Sequence, residues 1–136
     1  KSRCLVAGFG RIGKALAHML RGLGARVSVS ARRPEDFAWI EVYGYEPVHT
    51  GSICQKEQYD IIFNTIPARV FTRRVLSAIP TDTILIDLAS APGGVDTEAA
   101  EKLGIHVIPA LSLPGKAAPK AAGEVIKGTI YNMMEE

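Results

Sequence analysis

The first twenty residues leave the chain few folds to choose from. Residues 4–7 are a short apolar run of strand character, and Gly8-Phe9-Gly10-Arg11-Ile12-Gly13 follows without a break. Ile12, Ala15, Leu16, Met19 and Leu20 then recur at the spacing of one helix face, a stripe expected to lie on a sheet. A strand that turns into a helix through G-x-G-x-x-G aims backbone N–H groups at the place where a pyrophosphate binds. Three glycines at that spacing arise by chance often enough to decide little alone, and a tight turn needed only for helix–sheet packing would look the same. The context decides: the motif follows the first expected strand, opens the first expected helix, and belongs to a unit of about thirty residues that ends in another strand.

The same alternation runs on through the chain. Apolar, β-branched runs at residues 4–7, 26–30, 46–49, 60–64, 83–88 and 105–108 predict six strands, the third being the weakest in pattern. Between them lie helical segments: one stopped by Gly22 and Gly24, one opened by Pro34 with Glu35 and Asp36 in its first turn and closed by Gly44, and one capped by Asp96. A last helix is expected from Pro119 to the C-terminus. The pattern predicts an α/β fold, a Rossmann-type doubly wound six-stranded parallel sheet in three α/β/α layers. At 136 residues, with 47% hydrophobic residues, residues 1–136 make a single NAD(P)-binding domain. The chain starts at Lys1, almost inside a strand, and is expected to be the C-terminal part of a longer polypeptide.

Charge and cysteine usage narrow the partners. The net charge of +2 comes from interspersed residues, without the basic runs of a nucleic-acid binder. No apolar run approaches the roughly 18 residues of a membrane span, so neither a nucleic-acid nor a membrane partner is expected and the setting is read as cytoplasmic. The two cysteines, Cys4 in an apolar stretch and Cys54 in a polar one, suit neither a disulfide framework nor a metal site. No metal is expected. His18, His49 and His106 do not converge and are read as structural, and Trp39, Tyr43 and Tyr45 are read as packing of the second helix.

The cofactor expectation becomes specific at the end of the second strand. An NAD-preferring site places a carboxylate there for the ribose 2′-hydroxyl. This chain instead has Ser30-Ala31-Arg32-Arg33, with two guanidiniums suited to a 2′-phosphate, so NADP is expected over NAD. The candidate cofactor residues are Gly8, Phe9, Gly10, Arg11, Ile12, Gly13, Ser30, Arg32, Arg33, Thr65, Ile66, Pro67 and Leu88, the last four at the carboxyl ends of the fourth and fifth strands. Ser90, Gly93, Gly94 and Lys116 are candidate substrate residues, in two glycine- and proline-punctuated turns expected on the same rim. No catalytic acid or base is identifiable, because no titratable pair converges.

Four stretches together resemble the A subunits of dipicolinate synthase from spore-forming bacteria. They are residues 6–13, Asn64-Thr65-Ile66-Pro67-Ala68, residues 86–96 with Asp87-Leu88-Ala89-Ser90-Ala91-Pro92-Gly93-Gly94, and residues 113–123 beginning Leu113-Pro114-Gly115-Lys116. The resemblance implies a pyridine-nucleotide-dependent oxidation of dihydrodipicolinate, a small dicarboxylate, to aromatic dipicolinate during sporulation. It also implies a missing N-terminal domain, a flavoprotein-like second subunit, and little turnover by this domain alone. Two other functions share the sequence pattern: the cofactor domain of an NADP-dependent 2-hydroxyacid or shikimate-type dehydrogenase, and a nucleotide-sensing module without chemistry.

Overall fold

The computed structural model describes residues 2–89 and 93–109. Six strands alternate with helical segments: β1 (Arg3–Ala7), α1 (Arg11–Gly22), β2 (Arg26–Ala31), α2 (Pro34–Val42), β3 (Glu46–His49), a 3₁₀ turn over Thr50–Ser52, β4 (Ile61–Asn64), α3 (Arg73–Leu76), β5 (Ile84–Asp87), α4 (Thr97–Leu103) and β6 (His106–Pro109). All pairings are parallel, in the order β3-β2-β1-β4-β5-β6. The two halves of the chain wind outward from β1 and β4 in opposite directions, which is the doubly wound topology.

A sheet covered on both faces needs strands that are apolar on both sides, and this requirement explains the runs seen in the sequence. Alternate residues of each strand feed separate cores. Cys4, Val6, Val29, Ala31, Ile61, Phe63 and Ile86 pack with Leu16, Ala17 and Leu20 of α1 and Ile40 of α2. Leu5, Ala7, Ile62 and Leu85 pack on the other face with Leu76 of α3, Ala99 and Ala100 of α4, and Ile53 and Phe71 from the connections. Asp96 caps α4, its carboxylate accepting from Ala99 N–H at 3.1 Å.

The structure corrects three expectations. The buried stripe of α1 is Gly13, Leu16, Ala17 and Leu20, whereas Ile12 is 61% exposed and Ala15 is exposed too. The rotation follows from the turn: Gly13 faces the carbonyl of Gly8, so the smallest side chains, not Ile12, meet the strand. Second, Trp39 and Tyr43 do not pack α2 into the core; they are 57% and 47% exposed, and only Tyr45 of the three is buried. Tyr43 stands edge-on to Phe9 at 5.9 Å, along the rim of the glycine turn. Third, α3 was not expected, because four residues are too few to show a helical period. The helix expected from Pro119 lies outside the described residues.

Candidate functional site

β1 stops at Ala7, and the turn that follows is hung between the two neighbours of that strand. Gly8 N–H donates to the carbonyl of Ser30 in β2 at 3.1 Å. From the other side, Thr65 donates twice to the carbonyl of Ala7, from its N–H at 2.9 Å and from Oγ1 at 2.8 Å. The turn therefore sits where the winding direction reverses, at the carboxyl ends of the strands, which is where ligands bind in open α/β sheets.

The three glycines of the turn have different reasons to be glycine. Gly8 has φ +107°, and a Cβ there would lie 2.5 Å from Thr65 Oγ1. A Cβ on Gly13 would lie 2.3 Å from Gly8 O. Gly10 has extended backbone and, among the described residues, nothing within 4 Å of its Cβ position, so their packing does not require it. It is exposed beside the start of α1.

That helix start is built for an anion. Lys14 N–H is the first to find a helical acceptor, Gly10 O at 2.9 Å, so the N–H groups of Arg11, Ile12 and Gly13 lack partners within the helix. Gly10, at the N-cap position, has no side chain to cap the end, and the first turn carries no acidic residue. Free N–H groups, the positive end of a helix dipole and a position open for lack of a Cβ fit a dinucleotide pyrophosphate.

Around this cradle the other expected residues fall into place unequally. Phe9 is half-buried, Arg11 is exposed, and Arg32 and Arg33 are exposed at the carboxyl end of β2. Ser30 is fully buried and its Oγ accepts from Thr50 Oγ1 at 3.4 Å. Its side chain therefore cannot face a phosphate, contrary to the sequence expectation, and what Ser30 offers the turn is the carbonyl that holds Gly8. Arg33 precedes α2, and its Nε lies 3.3 Å from Asp36 Oδ2 and 4.0 Å from Glu35 Oε2. Thr65 and Ile66 are half-buried at the end of β4, Pro67 is exposed, and Leu88 packs partly against the α1 core.

Gly93 and Gly94 are brought to the same rim, but they are clamped to the protein. Asp87, 8% exposed at the end of β5, accepts from Asn64 Nδ2 at 3.0 Å, from Ala89 N–H at 3.2 Å and from Gly94 N–H at 3.0 Å. Asn64, fully buried at the end of β4, also accepts from Ile66 N–H and donates to Ile66 O, both at 3.1 Å. A Cβ on Gly93 would lie 2.7 Å from Asp87 Oδ2, and one on Gly94 would lie 2.0 Å from Asn64 Nδ2. Sequence reasoning missed the Asn64–Asp87 pair. The available signal was a polar residue closing each of two buried strands, after Phe63 and after Ile86. Ser90 and Lys116 lie outside the described residues.

Neither thiol is set up as a nucleophile. Burial, with the charge of Asp60 second, pushes Cys4 up to about 12, and burial pushes Cys54 up to about 11. Among the described residues no three His, Cys, Asp or Glu side chains gather as metal ligands would. A hollow of about 240 Å³ lined by Arg21, Arg26, Ser28, Tyr45, Glu46 and Glu57 lies at the amino ends of β2 and β3, away from the glycine turn.

Comparison with known proteins agrees with this geometry. Residues 1–102 match the D-isomer specific 2-hydroxyacid dehydrogenase, NAD binding domain family. The chain belongs to that family. It is also 39% identical, over 99% of its length, to the A subunit of dipicolinate synthase of Bacillus subtilis (strain 168), covering 46% of that protein. The crystal structure of the A subunit of dipicolinate synthase from Bacillus halodurans superposes with a TM-score of 0.78 at 40% identity, over 99% of this chain and 47% of that one. A transhydrogenase from Sinorhizobium meliloti shares the fold, with a TM-score of 0.68 at 23% identity over 98% of this chain and 45% of that one. The chain thus spans a little under half the length of the dipicolinate synthase subunits it resembles. Its kind is that of a dehydrogenase nicotinamide-nucleotide domain.

Proposed function

We propose that this chain is the cofactor domain of the A subunit of a dipicolinate synthase, binding NADP(H) in preference to NAD(H). The observation that carries the cofactor reading is the carboxyl end of β2: Ala31 closes the strand where NAD-preferring sites place a carboxylate, and Arg32 follows it, exposed, with no ion-pair partner among the described residues. The pyrophosphate lies over Gly10 and the free N–H groups of Arg11, Ile12 and Gly13. The 2′-phosphate would be held at the exposed carboxyl end of β2, where Arg32 and Arg33 supply the positive charge. The nicotinamide lies against Thr65, Ile66, Pro67 and Leu88.

The protein's own work is then placement. A bound nicotinamide would supply the hydride acceptor, the substrate ring giving up a hydride and a proton as it becomes aromatic, and that gain of aromaticity favours the transfer. Thr65, tied through two bonds to Ala7, fixes the wall beside it. The Asn64–Asp87 pair fixes the turn carrying Gly93 and Gly94, at which the substrate dicarboxylate is read, with Ser90 and Lys116 as further substrate residues. Holding two reactants in register is a large part of what such a site has to supply. The substrate, dihydrodipicolinate, and the setting, sporulation in the cytoplasm, rest on the likeness to the Bacillus subunits. So do the further N-terminal domain and the second, flavoprotein-like subunit.

Calorimetric titration of this chain with NADPH and, separately, NADH tests the cofactor half of the proposal. Tighter NADPH binding is the expected result; tighter NADH binding overturns the reading of Arg32 and Arg33 and keeps the fold. The family match favours one rival substrate class, the 2-hydroxyacids. A polypeptide carrying this chain with the remaining half found in its relatives should oxidise dihydrodipicolinate and not a panel of D-2-hydroxyacids. The reverse outcome makes it a 2-hydroxyacid dehydrogenase.

A further inference from the structure

The end of β3 lies beside the end of β2, and it carries a histidine. The strands pair in parallel with Ala31 opposite His49, so His49 stands one strand spacing, about 4.8 Å, from the residue that precedes Arg32. His49 is exposed, and its ring is oriented from two sides. Nδ1 accepts from the N–H of Gly51 at 3.1 Å, and Phe37 of α2 meets the ring edge-on with centroids 6.1 Å apart.

The bond from Gly51 decides the tautomer. A ring nitrogen that accepts a hydrogen bond carries no proton, so the proton of the neutral imidazole is on Nε2. Nε2 of His49 is therefore a donor on an exposed side chain at the carboxyl rim of the sheet, opposite Ala31, the residue that Arg32 follows. Arg33 is placed differently. Its Nε faces Asp36 and Glu35, so a dianion approaching that guanidinium also approaches two carboxylates in the first turn of α2.

We infer that His49, through Nε2–H, and Arg32 are the pair that recognises the 2′-phosphate, and that Arg33 serves chiefly to neutralise the acidic first turn of α2. This rests on the NADP reading above and adds a specificity residue from a strand that reading does not use. A donor from β3 and a guanidinium from β2 approach the phosphate from adjacent strands, and a ribose without the phosphate offers them one neutral hydroxyl in place of a dianion.

Titration of the chain and its variants with NADPH and NADH separates the possibilities. His49→Ala is expected to weaken NADPH binding about tenfold, as loss of a hydrogen bond to a charged group does, with NADH binding unchanged. His49→Gln puts an amide nitrogen near the Nε2 position and should recover most of the loss. His49→Asn keeps an acceptor for Gly51 but no outward donor, and should behave as the alanine variant. Arg32→Ala should lose NADPH selectivity, and Arg33→Ala should change it less than about threefold. If the parent chain prefers NADPH while His49→Ala keeps the same selectivity, or loses both nucleotides equally, His49 is structural and the inference fails alone. If the parent shows no preference for NADPH, the NADP reading fails and takes the inference with it.

Discussion

The two glycine turns on the carboxyl rim look alike in sequence and differ in construction. In the second, both glycines are forced by what the protein itself places against them: Asp87 Oδ2 at Gly93, and Asn64 Nδ2, Ile66 O and Ala68 O at Gly94. In the first, Gly8 and Gly13 are forced in the same way, but among the described residues nothing lies within 4 Å of a Cβ on Gly10. A glycine that no packing demands, at an uncapped helix start, is explained by what must approach it from outside. A glycine jammed against a buried amide is explained from inside. The first turn thus keeps one glycine that the described residues do not explain, as a surface meeting a ligand would, and the second is held rigid from within.

The sharpest way to break this contrast is at Gly94. A Cβ there would stand 2.0 Å from Asn64 Nδ2 and 2.9 Å from Ile66 O, and the amide cannot swing away without leaving Asp87. Gly94→Ala is expected to destabilise the domain by about 3 kcal/mol, an overpacking cost at a site with no slack, read as the shift in urea midpoint. A loss within experimental error would mean that the Asn64–Asp87 pair is loosely held and the second turn is no fixture.

Next in size is Asp87→Ala. It strands the N–H groups of Gly94 and Ala89 and removes one of the two acceptors of Asn64 Nδ2, which still reaches Ile66 O. Unpartnered buried donors cost about 1–3 kcal/mol each at most, and water entering the gap reduces that, so about 2 kcal/mol is expected. Asp87→Asn should recover part of it, because one acceptor oxygen remains.

How much of this was visible beforehand depended on whether a residue's role was carried by its own neighbours in sequence. The strands were legible because burial on both faces demands uninterrupted apolar runs, and the first turn was legible because its glycines sit at fixed spacing between a strand and a helix. Helix α1 was misjudged by one position, since nothing local tells that the Gly13 and Ala17 side must approach the strand more closely than Ile12. Asn64 and Asp87 are 23 residues apart and become a pair only when β4 and β5 align Asn64 with Asp87. The same holds for His49, which the strand register alone brings beside Ala31.

A smaller effect is expected where the first turn is tied to β4. Thr65→Val removes the Oγ1 bond to Ala7 O, but that carbonyl keeps its bond from Thr65 N–H, so no acceptor is orphaned. About 1 kcal/mol of stability should be lost. Because Thr65 Oγ1 is also what a Cβ on Gly8 would strike, the variant reports whether the turn is held from the β4 side. Nucleotide affinity that falls by more than stability would place Thr65 in contact with the cofactor as well.

The smallest change in stability is expected at Gly10, and it is the most informative. Its φ of −85° suits any residue and its Cβ position is open, so Gly10→Ala should leave the urea midpoint within about 0.5 kcal/mol of the parent, as surface substitutions do. Alanine also costs less backbone entropy than glycine, which pushes the change toward stabilisation. Under the proposed cofactor placement the added methyl stands where the phosphate oxygens come to meet the N–H groups of Arg11, Ile12 and Gly13, so NADPH and NADH should lose affinity together, by tenfold or so. Stability and binding would then part company at Gly10 and move together at Gly94. A Gly10→Ala domain that unfolds readily would return this glycine to the packing class, and with it would go the reason for reading the first turn as the surface that meets the ligand.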